Sequence, residues 1–303
     1  MRGLGPGLWE RLHRPGSALQ LALLRAALGV YLLVLYRAPM LGYLHELTLP
    51  RFYGMTWSVL PGGFERFLYV SAMPALHVVG IVATAAMTVG LATRASTIAA
   101  TVCWVLQFDV YYRMTKSHVD WPYWNVILLV LCCAHAGDRL SLDALIRRRR
   151  GVVITRNPQV YRWPVELCAA WIALVYVAAA LAKLLPLRAG IEWLGGAMLH
   201  HVVTTFHYDS PVYWMTGAPL FDYSLRWPFC ALSVAAVLVE LAAALVLFQQ
   251  RANLAIMLAI MTMHLGVYLT TGVIAFLYSG AVCLLFFSSP EWFRDCPRAE
   301  AGA

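Results

Sequence analysis

Few residues in this chain are able to do acid–base chemistry, and several of them stand inside apolar runs. Lys183 ends the segment VYVAAALAKLLP, a small-residue helix that meets one lysine and then Pro186. A lone ammonium within an apolar helix costs roughly 2.5–3.5 kcal/mol on insertion scales, so its presence points to a use. Desolvation at such a helix end makes a lysine neutral and basic at working pH, as a general base requires. The competing reading is an anchor, in which a lysine within a turn of the helix end snorkels to the interface. The proline disfavours continued helix before it and lets the chain fold back. That return would bring Trp193 over Lys183 and turn the ammonium inward.

Glu240 and His264 lie in two consecutive apolar runs joined by Gln249-Gln250-Arg251, too short for anything but an antiparallel hairpin. They are therefore expected within side-chain reach of each other. Arg25 interrupts the first apolar run near mid-depth and is the expected partner of Glu240, because an isolated glutamate in lipid would simply protonate. That pair reads equally as a structural tie between helices. His77, His264, Asp109 and Lys183 all fall at a depth that suits an amphipathic small molecule, its polar head at a base and its tail in lipid. For each histidine alone, a packing role with a bond to a backbone carbonyl stands beside that reading.

His200, His201 and His207 invite comparison with a metal site. Adjacent histidines point to different faces of a helix, so an interfacial aromatic–histidine loop is expected there and no metal is predicted. The seven cysteines form no CxxC pair and mostly fall in apolar runs, where they read as small packing residues. No nucleophile elbow, phosphate loop, zinc-protease helix or dinucleotide fingerprint occurs in a credible context.

The elements that must position these groups are membrane spans. Hydrophobic residues make up 61% of the 303, charged residues 13%, and the mean hydropathy is +0.68. That leaves too few charges to cover a soluble surface. The sequence predicts an all-α, polytopic bundle of about eight transmembrane helices. They cover about Ser17–Tyr36, Tyr69–Leu91, Ser96–Tyr112, Tyr123–Ala136, Pro164–Leu185, Trp227–Phe248, Ala252–Thr271 and Val273–Phe287. Backbone groups in lipid must be bonded within the segment, which requires helices. Residues 1–16 form a basic lead, 17–289 the transmembrane domain and 290–303 a short tail. The 138–163 loop carries seven arginines, Arg147–Arg150 among them, against two aspartates. By the positive-inside rule it is cytoplasmic, and both termini with it. The same run is expected to contact anionic lipid. The net charge of +8 is concentrated in that loop, which argues against a nucleic-acid partner.

The order of these pieces resembles the transmembrane part of vitamin K-dependent gamma-carboxylases, known in bacteria as the HTTM family. The resemblance runs from Leu21 to Trp292. LALLRAALGV is similar to the family's first-span pattern, with Arg25 as its arginine. VGLATRAS resembles the short turn after the second span, and GDRLSLDAL the ending after the fourth. VYVAAALAKL resembles the segment that bears the family's proposed base, which falls on Lys183. Trp193-Leu194-Gly195-Gly196 resembles the Trp-x-x-Gly that follows. VELAAALVLFQQR and MHLGVYLTTGVIAFLYSG resemble the last spans, with Glu240 in an acidic position and His264 in the family's histidine position.

Two pieces depart from the pattern. The family's N-H-x-Y-L is DWPYWNV here, with Trp121 in the histidine's place, His118 three residues away and Asn125 beyond Tyr123. The Asp before Trp-x-x-Gly is Glu192. The sequence ends soon after the eighth span, so no large extracytoplasmic propeptide-binding domain is expected.

The resemblance implies a multi-pass protein of a bacterial inner or plasma membrane that uses a reduced naphthoquinone, menaquinol or vitamin K hydroquinone. Lys183 would deprotonate the quinol; oxygen would add, and the resulting alkoxide would remove a proton from a glutamyl side chain. His264 and His118 would serve at the reacting centre, with Arg25, His77, Asn125, Trp193 and Glu240 around the quinol. Membrane lipid and a quinol or small peptide are the implied partners. A second reading remains open: a non-catalytic or peptide-maturation component, resembling the membrane proteins of sporulation-delaying toxin systems.

Overall fold

The computed structural model describes residues 14–36, 72–115, 122–185, 187–247 and 253–272, and every regular element among them is a helix. Pro15–Pro164 and Val165–Trp292 fall into two compact units.

The first unit contains α1 (Ala18–Tyr36), α2 (Met73–Val89), α3 (Thr93–Thr115), α4 (Pro122–Cys133) and α5 (Leu142–Arg149). Helix α2 packs against α1 and α3, and α3 against α4. On α1 the buried side chains recur at Leu21, Leu24, Arg25, Leu28, Tyr31, Leu32 and Leu35, one continuous stripe at helical spacing. Small residues let the backbones approach. A Cβ at Gly29 would run into the Thr88 hydroxyl, and one at Gly80 into the Tyr36 phenol. Helix α2 ends at Gly90, whose φ of 71° is left-handed. Leu91 N–H then donates back to Ala86 O at 2.9 Å and Gly90 N–H to Met87 O at 3.1 Å, closing the helix end.

The second unit contains most of α6 (Arg162–Leu184), then α7 (Leu187–Leu194), α8 (Ala197–Phe206), α9 (Pro211–Thr216), α10 (Trp227–Ala242) and α11 (Asn253–Thr271). The 187–226 stretch, expected as a loop, thus folds into three short helices. Gly196 makes the corner between α7 and α8, where any side chain would meet the Cys230 backbone. Ser210 caps α9, accepting from Tyr213 N–H at 3.3 Å and donating to Leu269 O at 2.5 Å, which ties α9 to α11.

Helices stand at seven of the eight expected spans. Four are long and apolar enough to cross a membrane: Ala18–Tyr36, Pro158–Leu184, Trp227–Val246 and Leu254–Thr271. Met73–Val89 and Trp124–Cys133 are apolar but shorter. The expected eighth span and His118 lie outside the described residues.

Candidate functional site

Helix α6 presents Tyr176 and Lys183 two turns apart on the same face, with fully buried Ala180 between them. Helix α10 buries Phe229, Ser233, Val237 and Glu240 at spacings of four, four and three, so the carboxylate belongs to its buried stripe. On α11, Ile256, Ile260 and His264 form the corresponding row. The three rows meet at an ion pair. Lys183 Nζ donates to Glu240 Oε1, and the ammonium lies 5.3 Å from the centre of the Trp193 ring on α7. Tyr176 Oη and His264 Nε2 are 2.7 Å apart, and His264 lies within electrostatic range of Lys183.

The side chain of Lys183 retains 20% of its exposure and that of Glu240 7%. The cluster therefore combines a lysine–carboxylate ion pair, an aromatic cover and a tyrosine–histidine pair.

Several expectations meet their outcome here. Lys183 turns onto Glu240, within electrostatic range of His264. Trp193 covers it, as the fold-back after the helix requires. The ion-pair partner that Glu240 meets is Lys183, where Arg25 was expected, and Arg25 donates to Leu140 O within its own unit. Tyr176 was not singled out, although its place seven residues before Lys183 in VYVAAALAKL puts it on the same face.

Arg25 is fully buried and donates from Nη2 to Leu140 O at 2.6 Å, with Asp143 within electrostatic range. Its other terminal nitrogen fills the space that a side chain at Gly90 would need. The guanidinium thus reaches the α2–α3 turn. Asp143, on α5, binds that turn from the other side, accepting from Ala92 N–H at 2.8 Å and from Thr93 N–H and hydroxyl, both at 2.7 Å. Its own N–H donates to Gly90 O at 3.0 Å. Burial alone would raise the Asp143 carboxyl, but these donors outweigh it and hold it below the ordinary carboxylate value. Three motif pieces, around Arg25, Gly90 and Asp143, form a single latch.

The remaining candidates have separate settings. His77 Nδ1 lies 3.3 Å from Gln107 Oε1, and its ring meets Tyr36 edge-on at 5.5 Å. Gln107 in turn donates to Tyr36 Oη at 3.2 Å and Cys103 O at 2.9 Å, a hub that no sequence signal marks. The Oδ1 atom of Asn125 is buried with no hydrogen-bond partner among the described residues. The side chain of Asp109 lies outside the described residues. His200 contacts Tyr223 O at 3.1 Å and the Phe229 ring at 4.8 Å. His207 stacks on Tyr208 at 3.8 Å and contacts Thr204 O at 2.6 Å. These histidines are aromatic-cluster members.

Apolar helices of spanning length, carrying a half-buried lysine–carboxylate pair, define a helical membrane protein. The HTTM domain profile matches residues 13–292, so the chain belongs to the HTTM family, the domain found in the transmembrane region of vitamin K-dependent gamma-carboxylases. Comparison with curated proteins and with solved structures gives no significant match.

Proposed function

We propose that this HTTM protein is a quinol-dependent membrane enzyme of the carboxylase or epoxidase type, with Lys183 as its base. The observation that carries the reading is the Lys183–Glu240 pair under Trp193. The residues fit a reduced naphthoquinone: Lys183 can take a phenolic proton once Glu240 holds its own, and Trp193 offers an aromatic face. Tyr176 and His264 stand ready to orient a quinol oxygen or relay its proton. The quinol supplies reducing power: with oxygen it yields its epoxide and water, and the energy released serves proton removal from a weak carbon acid.

Each residue has one task in this scheme. Glu240 orients the lysine side chain and would accept its proton. Trp193 and the α7 segment keep water off the amine, which preserves its basicity.

The test is direct. Purified protein in lipid nanodiscs is incubated with reduced menaquinone and oxygen, and the products are separated by mass. Epoxide in excess of a heat-inactivated control is expected; none would overturn the proposal.

A further inference from the structure

Helix α5 has two unlike faces. Asp143 and Arg147, one turn apart, point to the body of the unit. Asp143 holds the α2–α3 turn, and Arg147 donates to Gly137 O at 2.6 Å and reaches Asp138 at 3.3 Å. The opposite face carries Leu142, Leu145 and Ile146, respectively 40%, 46% and 41% exposed. Arg148, Arg149 and Arg150 are exposed on or beside that face, and no acidic side chain among the described residues pairs with them. Val152 and Val153 follow, 52% and 83% exposed.

Water is a poor neighbour for such a face, because the aliphatic groups remain hydrated and the guanidinium groups unpaired. Pure hydrocarbon is worse, because three cations would be desolvated. The boundary between headgroups and acyl chains serves both: leucines and valines dip inward while arginines reach phosphates in bidentate fashion. We propose that 142–153 is a docking surface for anionic phospholipid headgroups, lying in the plane of the membrane beside the spans. Charge complementarity selects anionic over zwitterionic lipid, because three guanidinium groups lack a counter-ion among the described residues. The surface is independent of the Lys183 site. Because Asp143 on the inner face holds the turn that carries Gly90, lipid bound to the outer face also steadies the Arg25 latch.

The experiment compares hydrogen exchange of the full-length protein in nanodiscs of phosphatidylcholine and of phosphatidylcholine with phosphatidylglycerol at three to one. Amides of 142–153 are expected to exchange about ten-fold more slowly in the anionic discs, a partial engagement of three arginines that would each contribute roughly five-fold at full engagement. Salt at about 0.5 M should remove the difference, because that concentration screens charges within a few ångströms. In the triple variant Arg148→Gln, Arg149→Gln, Arg150→Gln the lipid dependence should disappear. Equal exchange of the wild type in both discs overturns the proposal, whatever the variant does. So does a triple variant that keeps the lipid dependence, which leaves the arginines as topology determinants. Inorganic phosphate reproducing the slow exchange in zwitterionic discs also overturns it.

Discussion

Two buried cations, one in each unit, are handled in opposite ways. Arg25 is fully enclosed, its guanidinium donates to a backbone carbonyl, and the carboxylate nearby is occupied by backbone and hydroxyl donors. Lys183 is partly open, and its partner is a side-chain carboxylate under an aromatic ring. A guanidinium is always charged, so burying it gives a fixed strut. An ammonium bonded to a side-chain carboxylate depends instead on a partner that one substitution removes. Arg25 is held by backbone and Lys183 by a side chain, and the proposed function assigns the base to the second.

The largest effect expected from breaking this contrast is on the ion pair. Glu240→Ala leaves the Lys183 ammonium without its counter-charge, and losing one partner of a buried pair costs about 3–5 kcal/mol. The double variant Lys183→Met, Glu240→Leu should recover most of that loss, and unfolding in mild detergent with increasing denaturant measures both. Additive losses in the double variant would show that the two residues are not coupled.

A smaller loss, about 1–3 kcal/mol, is expected for Gly90→Ala, which strains a left-handed backbone and displaces the Arg25 guanidinium. Its distinguishing feature is that turnover per folded molecule should stay at the wild-type level, measured by active-site titration against thermal denaturation.

The smallest effect is a pH dependence. The folded Asp143 carboxyl sits below its unfolded value, so its stabilisation is complete above roughly pH 4 and fades as pH falls through the lower folded value. Asp143→Asn should flatten that acid limb of the stability curve and leave the neutral region parallel to wild type. An unchanged acid limb would mean that the Thr93 and Ala92 donors do not favour the carboxylate.

What the sequence makes legible follows from what each signal measures. Apolar length and interrupted charge locate the helices and single out Lys183, Glu240 and Arg25, because each is costly in lipid whatever surrounds it. Depth along a helix does not say which helices are neighbours, so it does not reveal Lys183 as the ion-pair partner of Glu240. Pro186 announces the fold-back, and Trp193 duly covers the lysine. Tyr176 and Gln107 escape because a single tyrosine or glutamine carries no cost large enough to stand out. The latch was visible only as separate motif pieces around Arg25, Gly90 and Asp143. Joining them needs the turn geometry that Gly90 and Asp143 impose on each other.

Chemical rescue of Lys183→Ala bears most directly on the claim that Lys183 is a base. The rate of naphthoquinone epoxide formation is measured in nanodiscs with and without added primary amines of graded basicity. Loss of a positioned base should slow the reaction by about 10²–10⁴-fold. Methylamine and its more basic relatives should restore part of the rate in order of basicity. Wild-type rates from Lys183→Ala in the absence of any amine would contradict the account.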